Sequence, residues 1–202
     1  MNLCAVALSV ICPFLGIDAP LTVMQMLWVN MIMDTLAGLA FAGEAPLAEY
    51  MREPPKKRSD NIINRYMYSQ IASTGVFTST LCLLFLMLPH TRELFRFGDG
   101  TPYFMTVFFA LFIFSGVFNS LNARTCRVNL LSHIGKNRLF IAVMVLICAV
   151  QVVLIYYGGV VFRTTGIQPL HLQMIMLVAF SVVPVDMLRK LVFRMIGKTG
   201  SV

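Results

Sequence analysis

Residues 21–44 read LTVMQMLWVNMIMDTLAGLAFAGE. From Leu21 to Ala42 the stretch is apolar and long enough to cross a bilayer core, which takes about 20 helical residues at about 1.5 Å each. Asp34 nevertheless sits in its middle. A carboxylate at mid-bilayer costs roughly 2.5–3.5 kcal/mol on insertion scales, which makes it a functional candidate by default. Asn30 lies four residues earlier, and positions i and i+4 of a helix share a face. An amide oxygen stacked on a carboxylate offers hard oxygen ligands to a cation, and Thr35 adds a hydroxyl nearby. Gly38 and Gly43 weaken the helix just beyond Asp34 and predict a kink or local unwinding there. Such unwinding would free backbone carbonyls as further ligands. Apart from Met thioethers this face offers no sulfur or imidazole ligand. That disfavours zinc and copper and leaves Ca²⁺, Mn²⁺, Na⁺ or a proton open.

Outward from this stretch the pattern repeats. Apolar runs cover residues 2–16, 21–42, 66–88, 103–121, 139–157 and 171–188. The sequence therefore predicts an all-α polytopic membrane domain over residues 1–202. Its bundle has six transmembrane helices, the first truncated and the second kinked or unwound. Composition agrees: 58% of residues are hydrophobic, 12% are charged and mean hydropathy is +0.79. An ordinary soluble domain carries about a quarter charged residues, and disorder needs low hydrophobicity.

The net charge of +7 is topological. Arg52, Lys56, Lys57, Arg58 and Arg65 separate runs two and three. Arg124, Arg127, Lys136 and Arg138 separate runs four and five, and Arg189, Lys190, Arg194 and Lys198 follow run six. Arg92, Arg96 and Arg163 alone lie in the alternate connections. The positive-inside rule then makes the first set, and both termini, cytoplasmic. Pro54-Pro55-Lys56-Lys57-Arg58 reads as an anchor at the membrane surface, with membrane lipid as partner and no nucleic acid. Cys4, Cys12, Cys82, Cys126 and Cys148 show no metal or disulfide spacing and read as small apolar residues. Met1-Asn2-Leu3 lacks the basic start of a cleavable signal. Gln151 reads as a structural hydrogen-bonding group, Pro184 as a kink, and Asp186 as the polar end of run six.

Residues 21–44, with the pattern LWVN-x-x-x-D, closely resemble the sixth transmembrane helix of plasma-membrane-type P-type Ca²⁺ ATPases. NLCAV at 2–6 is similar to the middle of the fifth helix, and EYMREPPKKR at 49–58 to the following cytoplasmic loop. FSGVFNSLNAR at 114–124 resembles the eighth helix of bacterial members, and VPVDMLRKL at 183–191 the end of the tenth. The whole chain thus resembles helices five to ten of a ten-helix pump. The resemblance implies that Asn30 and Asp34 are side-chain Ca²⁺ ligands and that Asn2 is a polar ligand of the fifth helix. Ala5 stands where reticulum-type pumps carry Glu, Met33 where they carry Thr, and Gly116 at a position acidic in two-ion pumps. One Ca²⁺ per cycle is therefore implied. The chain contains no DKTG phosphorylation loop, nucleotide domain, TGE loop or PEG-type broken helix, so ATP and Mg²⁺ belong to a missing N-terminal half, the expected partner. The short stretch after Leu188, without a calmodulin-binding tail, points to a bacterial-type pump in a cell membrane. The competing expectations are a stand-alone multispan scaffold and the same module moving Mn²⁺, Na⁺ or H⁺.

Overall fold

The computed structural model describes residues 2–17, 20–43, 65–95, 101–125 and 137–195, and all regular structure among them is helical. The connection carrying Pro54-Pro55-Lys56-Lys57-Arg58, Cys126, His133 and the last residues after Met195 lie outside the described residues. In chain order the elements are α1 (Asn2–Phe14), α2 (Val23–Leu27), a π-wound segment (Trp28–Met33), α3 (Asp34–Ala42), α4 (Arg65–Met87), α5 (Pro89–Leu94), α6 (Thr101–Arg124), α7 (Arg138–Tyr157), α8 (Gly159–Phe162), α9 (Pro169–Phe180) and α10 (Val182–Met195).

The first five apolar runs coincide with helices to within a few residues, and the sixth holds two. Among the described residues four helices are long and apolar enough to cross a membrane: Val23–Ala42, Tyr66–Met87, Pro102–Arg124 and Arg138–Tyr157. The other two expected spans differ for local reasons. α1 has 13 residues and carries Pro13 in its last turn, where the missing N–H ends the ladder. Gly16 follows at φ +70°, the left-handed region that a glycine enters without penalty, and turns the chain. The sixth run is divided at Ser181 into α9 and α10. Pro184 cannot donate to the carbonyl of Phe180 four residues back, and its ring crowds that carbonyl, so the break falls just ahead of it.

α6 is the hub. Residues Val107 to Val117 are buried without interruption, four of them phenylalanines. α4 lies against one side, where Phe85 stacks on Phe104 with centroids 5.2 Å apart. α9 covers another side through Phe118 and Phe180, edge-on at 5.4 Å. α7 lies along a third, with the Arg124 guanidinium 5.6 Å above the Phe140 ring. At the opposite end of α6, the Tyr103 hydroxyl pairs with His171 Nδ1 at 2.7 Å and accepts the Gln168 N–H at 3.0 Å.

The second span packs along α7. Asn137 Nδ2 donates to the Ala40 carbonyl at 3.2 Å, and Phe41 meets Phe140 at 5.8 Å. A methyl group on Gly43 would come within 2.8 Å of Leu139 Cδ2, so the tip of that side chain would have to move aside. The start of the second span is fixed by a capping box. Thr22 Oγ1 accepts the Gln25 N–H, and Gln25 Oε1 accepts the Thr22 N–H. Gln25 Nε2 then donates to the Phe162 carbonyl at 2.8 Å, holding α2 to α8.

Candidate functional site

Asp34 is the first residue of α3, and the six residues before it wind as a π-helix. Its backbone N–H bonds the Val29 carbonyl, five residues back. In α winding the same N–H would close on the Asn30 carbonyl, so the π turn releases that oxygen from it. The loosening lies one turn earlier than the glycines predict: Gly38 stays within α3, and the helix ends at Gly43. Thr35 is not available as a free hydroxyl, since Thr35 Oγ1 donates to the Met31 carbonyl.

Asn30 is exposed and Asp34 half-buried, while Val29, Met33, Ala37 and Ala40 form the stripe turned into the bundle. The predicted pair therefore lies on the side of the span turned away from α7. Asn2 is exposed in the first turn of α1. Its depth follows from the neighbouring contact between Ser9 Oγ and Met26 Sδ at 3.9 Å. Asn2 is seven residues before Ser9 on the antiparallel α1, and Met33 is seven residues after Met26. Seven residues are about two turns and about 10 Å, which puts Asn2 on the Ser9 stripe at the depth of Met33, beside Asp34 in height. All three predicted residues thus lie within about one helical turn of each other in height. Among the described residues no group of three or more His, Cys, Asp and Glu side chains comes together. The arrangement offers a single carboxylate with neutral amide and carbonyl oxygens.

Ala5 and Met33 are buried at 2% exposure each and lie within the packed core. Gly116 is buried in α6. None of the three carries an oxygen on its side chain.

The main polar cluster missed by sequence reasoning lies midway along α10. Asp186 is completely buried. It pairs with Arg189 Nε at 2.7 Å and with Lys190 Nζ at 2.9 Å. Lys190 also donates to the Asn122 carbonyl at 2.8 Å, and Arg189 Nη2 donates to the Tyr66 hydroxyl at 3.3 Å while its guanidinium lies 4.7 Å from the Tyr66 ring centre. Asn122 Nδ2 donates to the Val182 carbonyl at 3.2 Å. This cluster ties α10 to the first turn of α4 and the last of α6. The i, i+3 and i, i+4 spacing of Asp186, Arg189 and Lys190 was the only signal for it in the sequence. Gln151, expected to be hydrogen-bonded, is fully buried, and neither of its amide atoms bonds any described group.

Comparison with known proteins bears on the same residues. Residues 18–192 match the family model described as cation transporting ATPase, C-terminus. "Probable calcium-transporting ATPase 6, plasma membrane-type" of Oryza sativa subsp. japonica is 38% identical over 149 residues, 73% of this chain and 14% of the relative. Calcium-transporting ATPase 2 of Schizosaccharomyces pombe is 30% identical over 171 residues, 83% of this chain and 13% of the relative. Calcium-transporting ATPase PAT1 of Dictyostelium discoideum is 35% identical over 153 residues, 70% of this chain and 14% of the relative. The chain spans about a seventh of the length of these relatives. All three are eukaryotic, and they lend no support to the bacterial expectation. With most of its length inside one family model, the chain belongs to the cation-transporting ATPases and corresponds to their C-terminal region.

Proposed function

We propose that this chain is the ion-translocating membrane part of an ATP-driven Ca²⁺ pump and that it supplies part of a single Ca²⁺ site. The observation that carries the reading is Asp34, the one acid in the middle of a span, within about one helical turn in depth of Asn30 and Asn2 and next to a π turn that releases the Asn30 carbonyl. Ca²⁺ takes about six to eight oxygens, with carboxylate charge offsetting its dehydration. Asp34, Asn30 and Asn2 provide part of that set. Further ligands come from the N-terminal half of the pump, which covers the exposed side of the second span. That half also binds ATP and Mg²⁺ and carries the phosphorylated aspartate. The calcium-transporting names of the relatives support the choice of ion. The side chains of Ala5, Met33 and Gly116 provide no ligand for a second ion. The bundle sits in the cell membrane with six crossings and both ends in the cytoplasm, a reading that the distribution of basic residues supports.

The test joins this chain to the N-terminal part of the rice relative and measures uptake of radioactive Ca²⁺ into vesicles. ATP-dependent Ca²⁺ uptake that Asp34→Asn abolishes is the expected result. Uptake of Mn²⁺, Na⁺ or H⁺ in place of Ca²⁺ would reassign the ion. A folded chimaera that moves no cation would favour a scaffold of packed helices.

A further inference from the structure

Two thiols from different spans meet inside the bundle. Cys4, Leu8 and Cys12 recur at every fourth residue of α1 and are buried at 2%, 0% and 0% exposure, so they form the stripe that this helix turns inward. α1 packs against α4, and there Leu3 Cδ2 lies 3.4 Å from the place that a methyl group on Gly75 would take. Cys82, two turns further along α4, is also 0% exposed and belongs to the same core. The Cys4 thiol lies within hydrogen-bond reach of the Cys82 thiol and of the Ser79 hydroxyl. Cys12 acts on Cys82 only through space. The pair is therefore Cys4 with Cys82, and no spacing along the chain announces it.

A single buried cysteine is ordinarily a small apolar packing group. Two sulfurs facing each other across a helix contact are also a chelate, and thiolates select soft metal ions. Charge decides which ion suits a buried pair. Two thiolates exactly offset a divalent cation, whereas Ag⁺ or Cu⁺ on the same pair would leave a negative charge in an apolar bundle, which is costly. Zn²⁺ has the right charge but takes four ligands, and among the described residues no third His, Cys, Asp or Glu joins these two. Hg²⁺ is soft, divalent and satisfied by two sulfurs in line.

We propose that Cys4 and Cys82 form a two-sulfur site for Hg²⁺, a soft-metal clamp between α1 and α4. The ion arrives as uncharged HgCl₂, which enters apolar material. Each thiol gives up its proton as its sulfur–mercury bond forms, and the two mercury–chlorine bonds break. The products are a neutral bis-thiolate complex, two H⁺ and two Cl⁻, with no change of oxidation state. This site differs in chemistry from the hard oxygens of Asn30 and Asp34. It fastens α1, two residues beyond Asn2, to α4.

The full 202-residue chain, one copy per phosphatidylcholine nanodisc, receives one equivalent of HgCl₂ in the absence of Ca²⁺. X-ray absorption at the mercury edge then counts the bound sulfurs. Two sulfurs and no chloride are expected. Cys4→Ala and Cys82→Ala should each leave mercury on one sulfur with chloride retained. A competing monothiol should strip the ion from either variant at least about a hundredfold more readily, because the second sulfur acts at high effective concentration. Cys12→Ala and Cys148→Ala should keep both sulfurs. One-sulfur coordination in the wild-type chain would overturn the proposal, and this reading needs no variant to fold. Two sulfurs retained in a helical Cys4→Ala or Cys82→Ala chain would also overturn it. Because no Ca²⁺ is present, neither outcome depends on whether Asn30 and Asp34 bind that ion.

Discussion

Two buried or half-buried aspartates carry most of the chemistry, and they ask for different experiments. Asp34 stands in an apolar span with neutral neighbours. Its replacement by Asn keeps size and one oxygen but removes charge from a low-dielectric site. At an effective dielectric of about 20, two unit charges 4 Å apart interact by about 4 kcal/mol, so the loss should exceed about a hundredfold in cation affinity. Asn30→Ala should cost less, and Gly116→Ala should leave affinity unchanged. The readout is Ca²⁺-dependent phosphorylation of the chimaeric pump, and wild-type dependence in Asp34→Asn would remove Asp34 from the site. Asp186 is a fastener. Asp186→Asn leaves two buried cations facing each other and should destabilise the bundle by about 3–5 kcal/mol, read as a lowered unfolding midpoint in micelles. Replacing Asp186, Arg189 and Lys190 together by apolar residues should restore much of that loss. Asp34 and Asn30 were legible in the sequence because a charge in an apolar run needs no tertiary information to stand out. Asp186 was not. Its spacing to Arg189 and Lys190 was visible, but its burial depends on Tyr66 and Asn122, which lie far away along the chain.

Among the elements, hydropathy located the helices but not their winding. A π turn is in effect one extra residue in a helix, and nothing in the composition of WVNMIM distinguishes it from α. The glycines drew attention to the turn after Asp34. Gly43 instead ends α3, beside the Leu139 side chain. Deleting Met31, which is exposed, should let the span wind as continuous α-helix. Helical content should stay constant while cation affinity falls as far as in Asp34→Asn, since continuous α winding returns the Asn30 carbonyl to a bond within the helix. Circular dichroism and the phosphorylation assay together decide; retained affinity would mean that the π turn is incidental. At the other end, Pro184→Ala should join α9 to α10 into one helix. Amide exchange at Ser181 and Val182 should slow accordingly.

For the molecule as a whole, the charge pattern makes a prediction that no single element can. Cysteines placed at Ser59 and Asp99 should label from opposite sides of the membrane, Ser59→Cys from the cytoplasm and Asp99→Cys from outside. Labelling of both from one face would require an even number of crossings between them. The 202-residue chain alone should hydrolyse no ATP, since it contains no phosphorylation motif. The architecture also bears on how the bundle is made. In its apolar window α6 is 67% buried, against 28% for both Val23–Ala42 and Tyr66–Met87, and two of its principal neighbours, α7 and α9, follow it in the chain. During synthesis α6 therefore reaches the bilayer before the helices that will enclose it. A segment destined to be shielded from lipid by protein must first be at home in lipid, which accounts for its run of phenylalanines and the near absence of hydrogen-bonding groups between Val107 and Phe114. The polar residues Ser115, Asn119 and Asn122 are confined to its later turns, so the half that emerges first can wait, unaccompanied, for the rest of the bundle to arrive.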